Sequence, residues 1–143
     1  MRPGTILLVE DNGQDEKLTL RALAKVNLAN RVQVARDGQQ ALDQLADPAQ
    51  ELPLVVLLDL GLPRVGGLEV LARLREQPRT RLLPVVILTS SDEERDRLQS
   101  YASGANSFIQ KPVEFTQFVE AVAKLGAYWA LLNEPLPREE PKP

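Results

Sequence analysis

Four apolar runs in this chain each stop at a charged or hydroxyl residue, and that repeated ending limits the folds open to it. Residues 6–9 run into Glu10 and Asp11. Residues 54–58 run into Asp59. Residues 85–88 run into Thr89 and Ser90, and Phe108-Ile109 leads to Lys111-Pro112. Short continuous apolar runs, separated by stretches of helical spacing, read as strands buried on both faces of a parallel sheet. A carboxylate at the tip of such a strand costs desolvation energy unless something compensates it. Acids, hydroxyls and a lysine repeated at the same strand ends therefore describe a site.

The spacing predicts strands over 5–10, 31–35, 54–58, 85–88 and 107–110. It predicts helices over 15–26, 40–46, 68–76, 93–103 and 114–132, with Gly104 as the stop of the fourth. Five such β-α units in 143 residues fit an α/β fold, a doubly wound five-stranded parallel sheet of flavodoxin-like order 2-1-3-4-5 with an extended last helix. In such sheets ligands bind beyond the carboxyl ends of the strands, where Glu10, Asp11, Asp59, Thr89 and Lys111 fall. The expected organisation is one domain over 1–132 and a disordered, charged, Pro-rich tail over 133–143.

Composition removes whole classes of chemistry. The chain has no Cys and no His. Thiol nucleophiles, disulfides, zinc sites with N/S ligands and Ser-His-Asp catalysis are excluded together. Site chemistry must then use carboxylates, hydroxyls, Lys, Arg or a hard cation. The net charge is −3 without a basic block, so nucleic acid is not an expected partner. No apolar run reaches a membrane span and no signal peptide precedes the first strand, so no membrane partner and a cytoplasmic location are expected.

The ordered set Glu10-Asp11, Asp59 with Leu62-Pro63 and Gly67, Thr89-Ser90 and Lys111-Pro112 resembles the receiver domain of two-component response regulators over residues 4 to 125. The segments Tyr101 to Val113 and Leu125 to Leu131 look like the single-domain regulators that partner phytochrome-type histidine kinases. The resemblance implies that Asp59 is the phosphoacceptor and that the donor histidine belongs to the partner kinase. It implies Mg²⁺ held by Asp11, Asp59, the Gly61 carbonyl and Glu10, the last with a longer reach suited to a bridging water. All-oxygen ligation suits that cation, which also offsets repulsion among carboxylates.

Lys111 is then the counter-charge to Asp59 and to phosphoryl oxygens, with a cis Lys111-Pro112 bond. Thr89 and Ser90 face the phosphoryl group, and Phe108 holds the aromatic switch position coupled to Thr89. Asp11 is also a candidate N-cap for the first helix. Gly61 and Ser91 are small where the family shields the acyl phosphate, so the site is expected to be open. Self-dephosphorylation is expected to be slow and to respond to side chains at both positions.

The last helix carries Phe115, Phe118, Val122, Leu125, Trp129 and Leu132 at three- and four-residue spacing, with Ala121, Tyr128 and Leu131 beside them. Phe118, Val122, Leu125, Tyr128, Trp129 and Leu132 are the candidate surface of an isologous homodimer. A core helix is the alternative. Two other functions compete with the receiver reading. A haloacid-dehalogenase-like aspartyl-phosphate hydrolase also uses a strand-end Asp, but wants a second acid two residues on, where Gly61 stands. A receiver-like scaffold that is never phosphorylated has no need of the full charged set.

Overall fold

The computed structural model describes residues 4–90 and 104–124. Five parallel strands form one sheet: β1 Ile6–Val9, β2 Val32–Ala35, β3 Val55–Asp59, β4 Val85–Thr89 and β5 Ser107–Gln110. Their order is β2-β1-β3-β4-β5, as the alternating sequence pattern predicts. The helices are α1 Gly13–Ala24, α2 Gly38–Ala46, α3 Gly67–Glu76 and α4 Phe115–Lys124. The helix expected over 93–103 lies outside the described residues, as do Ser91, the segment from Leu125 onward and the expected tail.

Alternation along the strands sorts the core into two layers. Ile6, Leu8, Val55, Leu57, Val86, Leu88 and Ile109 point to one face, where Leu23 of α1 and Phe118 of α4 meet them. Leu7, Val9, Val56, Leu58, Val85 and Ile87 point to the other, against Ala41 and Leu45 of α2 and Val70, Leu71 and Leu74 of α3. Every residue of β1, β3 and β4 is buried, whereas β2 and β5 are only partly so. That is the expected difference between strands covered on both sides and strands at a sheet edge.

Helix ends differ from their sequence readings for local reasons. α1 starts two residues earlier than its apolar spacing shows, because Asn12 is the N-cap: its side chain accepts from the Asp15 N–H at 2.9 Å. The cap is therefore Asn12, not Asp11. At the other end Asn27 takes a left-handed φ of 62°, and the Leu28 N–H reaches back to the Leu23 carbonyl at 2.9 Å. This closing turn, with Leu28 packed beside Leu23, stops α1 at Ala24 instead of 26. Residues 29–31 form a 3-10 turn, so β2 begins at Val32.

Asp37 caps α2 in the same way, accepting from the Gln40 N–H at 2.8 Å, and the helix starts at Gly38. α3 begins at Gly67, where a Cβ would stand 2.4 Å from the Asp59 carbonyl oxygen. Only glycine lets this helix start so close to the end of β3. It thereby fixes the loop from Leu60 to Gly66 over the strand ends.

Phe118 is 1% exposed in the α1–α4 face of the core. It cannot serve a contact between chains, which corrects its place in the expected dimer surface. The same helical spacing that made it a surface candidate turns it onto the sheet. Phe115 is exposed, with the Lys25 ammonium 5.4 Å from its ring centroid.

Candidate functional site

The carboxyl ends of β1, β3, β4 and β5 open into one cleft of about 720 Å³. Glu10, Asp11, Asn12, Asp15, Asp59, Gly61, Gly67, Thr89, Ser90 and Lys111 are among the residues that line it. Strand register explains why distant residues meet there. Val9 lies beside Leu58, so Glu10 comes level with Asp59. Asp59 lies beside Leu88, and Leu88 beside Ile109. Glu10, Asp59 and Lys111 each follow an alternating series, 6-8-10, 55-57-59 and 107-109-111, whose side chains share the α1–α4 face.

Asp59 closes β3 and is 6% exposed. Lys111 Nζ lies 3.1 Å from its Oδ1, 2.9 Å from Glu10 Oε1 and 2.9 Å from Asp15 Oδ2. The Lys111-Pro112 peptide bond is cis. Burial alone would lower the Lys111 ammonium, but the carboxylates of Asp15, Glu10 and Asp59 outweigh it and hold the group above its ordinary value. It is therefore cationic at neutral pH.

Glu10 is fully buried. Burial pushes its carboxyl up to about 7, and the Asp59 charge adds to this against the pull of Lys111 and of the Asn12 N–H. The Asn12 N–H reaches Glu10 Oε2 at 3.3 Å. Glu10 Oε1 faces Lys111 as an ion pair yet has no aligned hydrogen bond, so a buried acceptor stays under-used. Oxygens of Glu10, Asp11 and Asp59 lie within 4.8 Å of one another. A hard divalent cation fits that donor set: it is all oxygen, partly open, and contains an acceptor short of a partner.

Asp11 is exposed at the rim, and Ser90 is exposed beyond β4. Thr89 is 5% exposed at the end of β4. By alternation it points to the α2–α3 face. Phe108 is half-buried against the same layer, opposite Ile87 and two residues short of Thr89. Gly61 leaves room in front of the acid: a Cβ there would be 3.9 Å from Asp59 Oδ2, an ordinary contact. The fold thus brings together Glu10, Asp11, Asp59, Gly61, Thr89, Ser90 and Lys111, with Phe108 alongside.

The sequence reading missed one member, Asp15. Its signal was the spacing Asn12-x-x-Asp15, a polar cap with an acid three residues on. That pattern puts Asp15 in the first turn of α1, which rises directly from the cleft.

A family model described as the response regulator receiver domain matches residues 6–123. The probable methanogenesis regulatory protein FilR2 of Methanothrix harundinacea is 39% identical over 130 residues, spanning 89% of this chain and 84% of that protein. The structure of the bacteriophytochrome response regulator AtBRR gives a TM-score of 0.82 at 53% identity, covering 94% of this chain and 100% of that one. The Mn²⁺-bound form of response regulator Rcp1, a Synechocystis protein, gives a TM-score of 0.72 at 32% identity, over 94% of this chain and 99% of that one.

Proposed function

The chain belongs to the response regulator receiver domain family, and from that premise we propose that Asp59 accepts a phosphoryl group from a histidine kinase. One observation carries this reading. A nearly buried carboxylate at a strand end stands 3.1 Å from a lysine and within 4.8 Å of two further acids, at the mouth of an open cleft. An Asp59 oxygen forms the new bond to phosphorus. The phosphorus–nitrogen bond to the kinase imidazole breaks, and that nitrogen keeps the electron pair.

Glu10, Asp11, Asp59 and the Gly61 carbonyl would hold Mg²⁺. When bound, the cation offsets charge on the transferring group. Lys111 supplies fixed positive charge from the β5 side. Thr89 and Ser90 offer hydroxyls to the phosphoryl oxygens, and the half-buried Phe108 reports the change at Thr89 to the α2–α3 layer. Likeness to the bacteriophytochrome response regulator AtBRR supports a kinase of the phytochrome type.

Incubation with Mg²⁺ and acetyl phosphate tests the reading by intact-mass measurement. One phosphoryl group per chain is expected. Turnover of many equivalents would indicate the hydrolase, and no uptake the scaffold. Gly61 gives a second check, since its surroundings accept a side chain. Gly61→Leu is expected to screen the acyl phosphate from water and slow its hydrolysis about threefold to tenfold. An unchanged decay rate would count against an open site.

We propose that residues 1–132 are the signalling unit and residues 133–143 a tail. A homodimer through Val122, Leu125, Tyr128, Trp129 and Leu132 also belongs to this reading and rests on their spacing in sequence. Sedimentation of the intact chain should give a dimer, and a chain ending before Tyr128 a monomer. A monomer in both would end the idea.

A further inference from the structure

The ammonium of Lys111 has three donors, and three carboxylates stand around it. Glu10 Oε1 and Asp15 Oδ2 are each at 2.9 Å and Asp59 Oδ1 at 3.1 Å. Two of the three belong to the group of acids that share one small volume. Asp15 is not in that group. It reaches Lys111 from the first turn of α1, across 96 positions of sequence, and its side chain is 33% exposed.

The place of Asp15 is set independently of the cleft. Its N–H is held by the Asn12 side chain at 2.9 Å, so it sits in the first turn of α1. There the aligned peptide dipoles interact favourably with a neighbouring negative charge. Asp15 therefore offers Lys111 a fixed anion on the α1 side. A phosphoryl group arriving on Asp59 brings further anionic oxygens that need the same ammonium. Among the three acids Asp15 alone lies outside both the acceptor and the cation site.

We propose that Asp15 is a positioning residue that draws the Lys111 ammonium toward α1 and competes with the phosphoryl group for it, so that it slows phosphoryl uptake by Asp59. This rests on Asp59 being the phosphoacceptor. With acetyl phosphate, an Asp59 oxygen bonds to phosphorus while the bond from phosphorus to the acetate oxygen breaks. Acetate leaves with the electron pair. Lys111 must turn from Asp15 toward the phosphoryl oxygens as this occurs.

Asp15→Asn keeps the size of the side chain and an oxygen acceptor but removes the charge. The full-length chain with Mg²⁺ and acetyl phosphate is expected to be labelled about fivefold faster at saturating donor, and to bind beryllium trifluoride, a phosphoryl mimic, tighter by a similar factor. Asp15→Glu, which retains the charge, should return the rate toward that of the parent chain. Asp15→Ser, which also removes the charge and suits a helix start, should behave as Asp15→Asn if the amide impairs folding. Labelling of the variants at or below the parent rate, with normal melting curves, would overturn the proposal. Failure of the parent chain itself to take label would instead overturn the assignment of Asp59.

Discussion

Asp59→Asn is expected to abolish phosphoryl uptake entirely while leaving the fold intact. An amide oxygen is a poor nucleophile toward phosphorus, and no second acid occupies its place. Glu10 is fully buried and tied to Lys111, while Asp11 is at the rim. The substitution preserves volume in a position that is 6% exposed, so packing of β3 against β4 is retained. It also removes one of three neighbouring negative charges. Thermal unfolding without Mg²⁺ should occur at the same temperature or slightly higher, and Mg²⁺ affinity should fall. Intact-mass analysis after incubation with acetyl phosphate reads the uptake. Residual labelling near the parent level would mean that another side chain is the acceptor.

Lys111→Met should produce the largest loss of stability at the site. Lys111 is the shared partner of Glu10, Asp15 and Asp59. Removing one member of a buried ion-paired set leaves the others uncompensated, and a cost of about 3 kcal/mol is expected above neutral pH. That is the low end of the usual range, because the cleft admits water. The pH dependence follows from Glu10, whose carboxyl is raised from 4.5 to about 7 in the fold. A raised acid binds more protons folded than unfolded between those values, so stability declines as pH climbs from about 4.5 to about 7.

Without Lys111 the Glu10 carboxyl rises further. The penalty then deepens above pH 7 and shrinks once Glu10 is protonated. Urea unfolding at two pH values, in chelator, measures this. Mg²⁺ at the acid cluster should recover part of the loss by mass action. An equal penalty at acid and alkaline pH would show that Lys111 acts through packing alone.

The two strands that matter most were readable because their runs are apolar without alternation. Residues 6–9 and 55–58 have no polar member, and only burial on both faces tolerates that. Helix starts were harder to read. Asn12 and Asp37 cap α1 and α2 through side-chain bonds to N–H groups three residues on, and apolar spacing carries no trace of such bonds. Phe118 shows the same limit from the other side. Spacing marks it as one residue of a stripe, and only contact with the sheet makes it core.

The order of residues already limits which chemistry is possible. With no Cys and no His, and acids, hydroxyls and a lysine at successive strand ends, it set a cluster of carboxylates with a lysine at the carboxyl ends of a parallel sheet. Tertiary structure alone decided who shares the charge. Register brings Glu10 level with Asp59, and the turn at Asn12 aims Asp15 at a lysine 96 residues away. A chain's order states which groups it has, but pairing energy depends on distances of about 3 Å. Those distances are fixed only when the strands align and the helices cap.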